Sequence, residues 1–229
     1  MKFLVTGSCG FIGFHLCKNL LEDEHKVLGI DNLNNYYEVA LKKKRLELLQ
    51  TSQNFKFFRK DITDIHSIDK LFKNFKPNIV VNLAAQAGVR YSTINPNSYI
   101  DSNILGFLNI FNLCRDYDVK KFIYASSSSI YGSSEDIPYK EDSLPSPISL
   151  YGKTKHINEL ITESLAPENL FKSVGLRFFT VYGPYGRPDM AYFKFSQKIK
   201  ANSKIKIYNR GNMALDMTYI DDIIHGIKL

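Results

Sequence analysis

Lys2-Phe3-Leu4-Val5-Thr6, followed directly by Gly7-Ser8-Cys9-Gly10-Phe11-Ile12-Gly13, is the stretch on which the fold of this chain turns. The first five residues form a short apolar run. Phe14 to Glu24 (FHLCKNLLEDE) then carries a helical pattern, and Lys26 to Asp31 (KVLGID) reads as a second strand. Strand, glycine loop, helix and strand make a βαβ unit. Glycines at this spacing permit a tight turn and close backbone approach, so a pyrophosphate can rest on the helix N-terminus. A glycine pattern alone is weak, and a plain βα turn is the simpler alternative; position after a strand and before a helix gives it meaning. Asp31 ends the second strand. A carboxylate there accepts hydrogen bonds from ribose hydroxyls and repels a 2′-phosphate, which favours NAD over NADP. The plainer alternative is a cap on the loop Asp31 to Asn35.

Outward from this unit the alternation continues. Phe55 to Ile62 reads as strand, Asp64 to Phe75 as helix, and Asn78 to Ala85 as a nearly continuous apolar strand suited to the middle of a parallel sheet. Ser98 to Tyr117 is a long helix and Lys120 to Ser127 the fifth strand. A helix over Ser149–Ala166, broken near Pro167, leads to a sixth strand from Ser173 to Gly183. Strand and helix in turn throughout predict an α/β fold with a doubly wound parallel (Rossmann) sheet. After Gly183 one helix, a short strand at Lys204 to Tyr208 and the opening of another helix precede Leu229. Residues 1–182 therefore read as an NAD-binding domain, and 183–229 as a truncated, incomplete C-terminal substrate lobe.

The composition is ordinary for a globular chain: 229 residues, 44% hydrophobic and 23% charged, enough for a full core. Cys9, Cys17 and Cys114 are odd in number and widely spaced, with no disulfide framework or metal-ligand spacing, which suggests a reducing, cytoplasmic setting. No apolar run has membrane-spanning length. The net charge of +7 invites a nucleic-acid partner. Much of it, however, sits in Lys42-Lys43-Lys44-Arg45 and in Lys194 to Lys206. The first lies in an expected amphipathic helix with Leu41, Leu46, Leu48 and Leu49, as a solvated basic face, and no nucleic-acid motif accompanies it.

Chemistry concentrates at Tyr151-Gly152-Lys153-Thr154-Lys155 and the serine run Ser126 to Ser129. Residues four apart share a helix face, so the Tyr151 phenol and the Lys155 amine come together. A phenol titrates near pH ~10, and lowering it to ~7 needs roughly 4 kcal/mol. One close cation supplies ~1–3 units, so a second charge, such as an oxidised nicotinamide, closes the gap. With 14 tyrosines such pairs arise by chance, and Tyr117…Lys121 is one that lacks both helix and serine partner. In an open α/β sheet, polar residues after strands four, five and six meet at one edge: Gln86 to Tyr91, the serines, and Thr180 to Arg187. Hydride transfer at a carbinol carbon with proton removal by Tyr151 is the reaction class implied. For two or three of the serines, capping or turn hydrogen bonding is the simpler role.

GSCGFIG, Asp31, NLAAQAGVR, ASSSSIYG, YGKTK and RFFTVYGP in this order resemble the extended short-chain dehydrogenase/reductase family. AAQAGVRYS, DSNILGFLNI, RFFTVYGPYGRPDMA and the Asn212–Ile223 motif make the chain similar to its nucleotide-sugar 4-epimerase branch, nearest the UDP-glucuronate 4-epimerases. The resemblance implies Ser127 (counted within the run, with Ser128 and Ser129 open alternatives) on the reacting hydroxyl, Tyr151 as proton acceptor, and Lys155 lowering its pKa and binding the nicotinamide ribose. It implies Gly7, Gly10, Phe11, Ile12 and Gly13 at the pyrophosphate, Asp31 and Asn32 at the ribose, and Asp61 and Ile62 on the adenine side. Ala84, Ala85 and Asn103 would line the cofactor channel, with Phe178 near the nicotinamide. Thr180 and Arg187 would hold a substrate carboxylate, with Arg90 a further anion contact. The UDP-sugar would pass through a 4-keto form, and no metal is implied.

Dehydratases of the family carry an Asp-Glu pair where this chain has Ser128-Ser129, because elimination needs an acid and a base. The glutamate that decarboxylases place in that segment is also absent. Relatives carry an arginine for the UDP diphosphate where Leu215 stands, which weakens the substrate half. The branch also implies a homodimer through the helices Ser98–Tyr117 and Ser149–Ala166.

Overall fold

The computed structural model describes residues 1–132, 137–165, 172–207, 209–212 and 214–229. Six parallel strands, β1 (Lys2–Thr6), β2 (Lys26–Asp31), β3 (Phe55–Arg59), β4 (Ile79–Asn82), β5 (Lys121–Ala125) and β6 (Lys172–Leu176), form one sheet in the order β3-β2-β1-β4-β5-β6. Registers such as Val5↔Gly29 and Val5↔Val81 place β1 between β2 and β4. The winding reverses there, and a crevice opens beyond the carboxyl ends of those strands.

Alternation along each strand builds two cores. Phe3, Val5, Val27, Val81 and Ile123 face α1 (Phe11–Glu22) and α2 (Val39–Leu49). Leu4, Leu28, Ile30, Val80 and Phe122 face α3 (Ile65–Phe75) and α5 (Gly106–Asp116). A one-residue shift in register would exchange the two sets, so the pattern fixes the pairing. α5 ends a longer helical run that starts at α4 (Pro96–Tyr99) and passes through a π-helical turn, Ile100–Leu105. α6 (Leu150–Leu165) follows the serine run. The expected helix ended at Ala166; that residue and Pro167 lie outside the described residues.

Three expectations are corrected. The strand expected over Ser173–Gly183 is two strands. After β6 the chain bends at Arg177–Phe179, and β7 (Thr180–Tyr182) leaves the main sheet to pair in parallel with β8 (Met217–Tyr219). The bend has tertiary causes: Arg177 turns to bind Glu159 through Nε (3.0 Å) and Nη2 (2.8 Å), and Ser128 N–H donates to Phe178 O (2.9 Å). The strand expected at Lys204–Tyr208 is irregular through Ile207, and Tyr208 lies outside the described residues. The basic run on α2 is a solvated face only at Lys43 and Lys44: Lys42 is 5% exposed and Arg45 0%. Burying such cations costs several kcal/mol each. Lys42 offsets this by donating to Asn34 O (2.9 Å) and Asn34 Oδ1 (2.7 Å), Arg45 by four acceptors described below.

Beyond residue 183, α7 (Ala191–Lys200) buries none of its residues. α8 (Ile220–Lys228) instead inserts Ile220, Ile224 and Ile227 into the core beside α1. No described helix is long and apolar enough to cross a membrane.

Candidate active site

The crevice holds a cavity of about 370 Å³. Its wall runs from Gly7, Gly10, Phe11, Ile12 and Gly13, with Asp31, Asn32, Asp61 and Ile62, past Ala84 and Ala85, to Ser127, Tyr151, Lys155, Phe178, Thr180 and Arg187. Residues far apart in the chain thus meet on one surface, as the sheet topology requires.

At the first end the backbone itself is the site. Gly7 has φ +69, and a Cβ there would stand 2.8 Å from Ala84 N. On Gly10 a Cβ would lie 2.9 Å from Gly7 O, and on Gly13 it would collide with the same carbonyl. Only glycine allows this approach. The helix cap, Gly10, offers no side-chain hydrogen bond, and no acidic residue occupies the first turn of α1. Its free N–H groups and the positive end of its dipole therefore face the cavity, a cradle that fits a dinucleotide diphosphate. Asp31 fills the plainer of its two expected roles, a cap on its own loop. It lines the cavity, and its Oδ2 accepts Cys9 N–H (3.1 Å) while Oδ1 accepts Leu33 N–H (2.8 Å), bracing the glycine loop and its own turn. Asn32 donates to Asp61 Oδ2 (2.8 Å). Burial works against the Asp61 charge, but hydrogen bonds from Asn32 and Thr63 hold its carboxyl below the usual range.

At the other end Tyr151 and Lys155 share the inner face of α6, with the amine 6.0 Å from the phenol ring centre. The expected pull of Lys155 on the phenol meets a competing partner for its amine in the cofactor-free protein. Lys155 Nζ donates to Ala125 O (2.8 Å), and burial pulls the amine itself down to about 8. Burial also pushes the Tyr151 phenol above its ordinary value; the opposing influences are the charge of Arg187 and a hydrogen bond with Ser127. Of the serines, Ser126 donates to Glu159 Oε1 (2.5 Å), already clamped by Arg177, and so is structural. Ser127 caps a short turn by accepting Ser129 N–H (3.1 Å), and it is the serine that reaches Tyr151.

Arg187 is held in turn. Its Nε and Nη2 donate to Asp189 Oδ1 (3.0 Å) and Oδ2 (2.5 Å), and Tyr36 OH donates to Oδ2 (3.1 Å). Burial disfavours the guanidinium charge, but Asp189 outweighs it and holds Arg187 above its usual pKa. Two expected residues are not on the wall. Arg90, itself exposed, opens a 3-10 turn, Arg90–Thr93, outside the cavity. Asn103 lies behind the wall in the π-helical turn, accepting Gln86 N–H (2.8 Å) and donating to Gln86 O and Thr154 Oγ1 (3.1 Å each), which fixes Gln86 on the wall. Leu215 is 61% exposed and away from the cavity. The sequence reading missed Lys42, Tyr36 and Asp189. Asp189 stood two residues from Arg187, but the others needed the folded chain to bring them in.

Known proteins resemble the chain over nearly its whole length. An uncharacterized protein of Methanocaldococcus jannaschii is 52% identical over 99% of this chain and 70% of its own length. A probable UDP-glucuronate 4-epimerase of Rhizobium meliloti is 44% identical over 99% of this chain and 67% of its own. Among solved structures, the UDP-glucuronic acid 4-epimerase of Bacillus cereus in complex with UDP-glucuronic acid and NAD superimposes with a TM-score of 0.92 at 37% identity, covering 100% of this chain and 72% of that one. Residues 3–229 match the family profile, and the chain belongs to the NAD dependent epimerase/dehydratase family, with NAD as its cofactor.

Proposed function

We propose that the protein catalyses NAD-dependent 4-epimerisation of a UDP-sugar, converting UDP-glucuronate to UDP-galacturonate. The observation that carries this reading is a single cavity joining the glycine cradle to Ser127, Tyr151, Lys155, Thr180 and Arg187. The similarity to UDP-glucuronate 4-epimerases supports it. We assign residues 1–182 to the cofactor and 183–229 to the sugar-nucleotide side.

Gly7 to Gly13 would hold the diphosphate of NAD, Asp31 and Asn32 its adenosine ribose, Asp61 and Ile62 the adenine side, and Lys155 the other ribose. When bound, NAD supplies reversible oxidation at the sugar carbon. Tyr151 takes the proton from the C4 hydroxyl and returns it after the 4-keto sugar has turned, while Ser127 Oγ holds the same oxygen. A phenol raised by burial becomes a base only beside added positive charge. Arg187 already provides some, and oxidised NAD brings the rest.

With Arg187 Nε and Nη2 committed to Asp189, Nη1 and the outer hydrogen of Nη2 are the donors for a substrate carboxylate, together with the Thr180 hydroxyl. The described carboxylates on the wall, Asp31 and Asp61, are both at the adenosine end. An acid–base pair for dehydration is thus missing beside Tyr151 among the described residues.

One feature favours a second reading, a nucleotide-holding protein without turnover: α7 buries nothing, and Phe195, Ile199, Leu215 and Met217 are exposed. Incubation with UDP-glucuronate, followed by NMR, separates the two. UDP-galacturonate is the expected product; retention of NAD with no product would favour the second. Arg187→Ala should remove UDP-glucuronate turnover, and any UDP-glucose turnover surviving it would point to a neutral hexose as substrate.

A further inference from the structure

Arg45 is fully buried, yet no described carboxylate forms an ion pair with it. It does not touch the cavity. Its guanidinium joins three separate pieces of chain. Nη1 donates to Cys9 O (2.8 Å) in the glycine loop and to Tyr37 OH (2.7 Å). Nη2 donates to Tyr185 O (2.6 Å) and, at 3.5 Å, to Gly186 O. Nε has no hydrogen-bond partner among the described residues.

The segment it grips is irregular and runs directly into Arg187. Gly183 has φ +148 and Tyr185 φ +55, a left-handed conformation that a tyrosine holds only against a cost. The groups that restrain its carbonyls come from the nucleotide side. His15 of α1 bonds Pro184 O (2.9 Å), and Arg45 of α2 takes the next two. A planar fork can bind carbonyls of two segments at once; a lysine, as a point charge, cannot hold that geometry.

We propose that Arg45 is a positioning residue that couples occupancy of the diphosphate cradle to the placement of Tyr185-Gly186-Arg187. A ligand that orders Gly7 to Gly13 fixes Cys9 O. That fixes one prong of the guanidinium, and through the other prong it steadies the backbone from which Arg187 reaches toward Tyr151. Linkage makes the effect reciprocal: whatever holds Arg187 tightens nucleotide binding by the same factor. The inference rests on the reading of the glycine loop as the NAD cradle.

Hydrogen exchange of the whole chain, read by mass spectrometry with and without NAD, tests it. In the wild type NAD should slow exchange over residues 7–14 and also over 183–187, although Tyr185 and Gly186 lie off the cavity wall. In Arg45→Lys the slowing over 7–14 should persist with NAD affinity within about threefold, while that over 183–187 drops at least about fivefold. Tyr37→Phe, which removes one anchor and leaves the guanidinium in place, should show a smaller loss, about twofold, over 183–187 alone. Equal slowing over 183–187 in wild type and Arg45→Lys would overturn the coupling. So would wild-type slowing over 7–14 without any over 183–187. Slowing of neither segment would overturn the cradle reading, and this proposal with it.

Discussion

At the scale of single residues, the reactive end is a contest between burial and charge. Burial raises the Tyr151 phenol and lowers the Lys155 amine, so before NAD arrives the phenol keeps its proton at neutral pH, while the amine, at about 8, still carries its charge there. Tyr151→Phe should abolish turnover, by at least about a thousandfold, and leave NAD bound, as read by turnover assay and nucleotide retention. Asp189 partly neutralises Arg187, a cation whose charge lowers the phenol. Asp189→Asn should therefore move the acid limb of the kcat profile to lower pH, with Arg187 still charged; an unmoved limb would deny Arg187 that influence. Lys155 also makes stability depend on pH, and the sign follows from its shift. Its folded pKa, about 8, lies below the ordinary 10.5, so between those values the unfolded chain binds more protons and stability rises with pH. Below pH 8 both states carry the proton and the penalty is constant. Compared with Lys155→Met, the nucleotide-free wild type should gain roughly 2–3 kcal/mol between pH 7 and 10.5 in urea unfolding; parallel curves for the two proteins would refute the shift.

At the scale of elements, the glycine loop is the most constrained piece. Gly13→Ala places a methyl against Gly7 O, which must move with the loop. The expected result is a loss of about 1–3 kcal/mol in stability and of more than about tenfold in NAD affinity, measured by thermal unfolding and nucleotide titration. This element was legible because its signals are local: an apolar run, three glycines, a helical period and Asp31 stand in consecutive order. β2 came out at its full length, Lys26–Asp31, for the same reason. The errors fall where tertiary contacts overrule local pattern. Residues 173–183 are apolar and aromatic enough for one strand, but the Arg177–Glu159 pair and the Ser128–Phe178 hydrogen bond hold a bend between its two halves. The run Lys42–Arg45 looks soluble by composition, yet Asn34, Cys9 and Tyr185 supply acceptors that draw two of its cations inside. The Tyr151–Lys155 spacing correctly brought the two side chains to one face, but spacing could not show that the Lys155 amine turns to Ala125 O.

At the scale of the whole molecule, the sheet order puts the cavity at one edge and leaves apolar side chains exposed on the outer faces of two neighbouring helices among the described residues. On α6 the inward positions are Thr154, Lys155, Asn158 and Thr162, while Ile157 (36%) and Leu160 (45%) look outward. In the adjoining helical run Leu105 (47%) and Ile100 (45%) are exposed in the same way. Each is already more than half buried, so covering the rest is worth less than half of the ~1.5–3 kcal/mol of full burial, and a dimer must draw on the whole face to offset the cost of association. This face is where a second copy packs as a helix bundle in the homodimer we propose. Ile157→Glu combined with Leu160→Glu should raise the dimer dissociation constant at least about a hundredfold, or ~2.7 kcal/mol, in sedimentation equilibrium. Because the substituted positions face away from the cavity, NAD affinity should change by less than about threefold. Joint loss of dimer and NAD binding would mean that α6 had been disturbed as a whole, and a wild-type chain sedimenting as a monomer at micromolar concentration would dispose of the interface altogether.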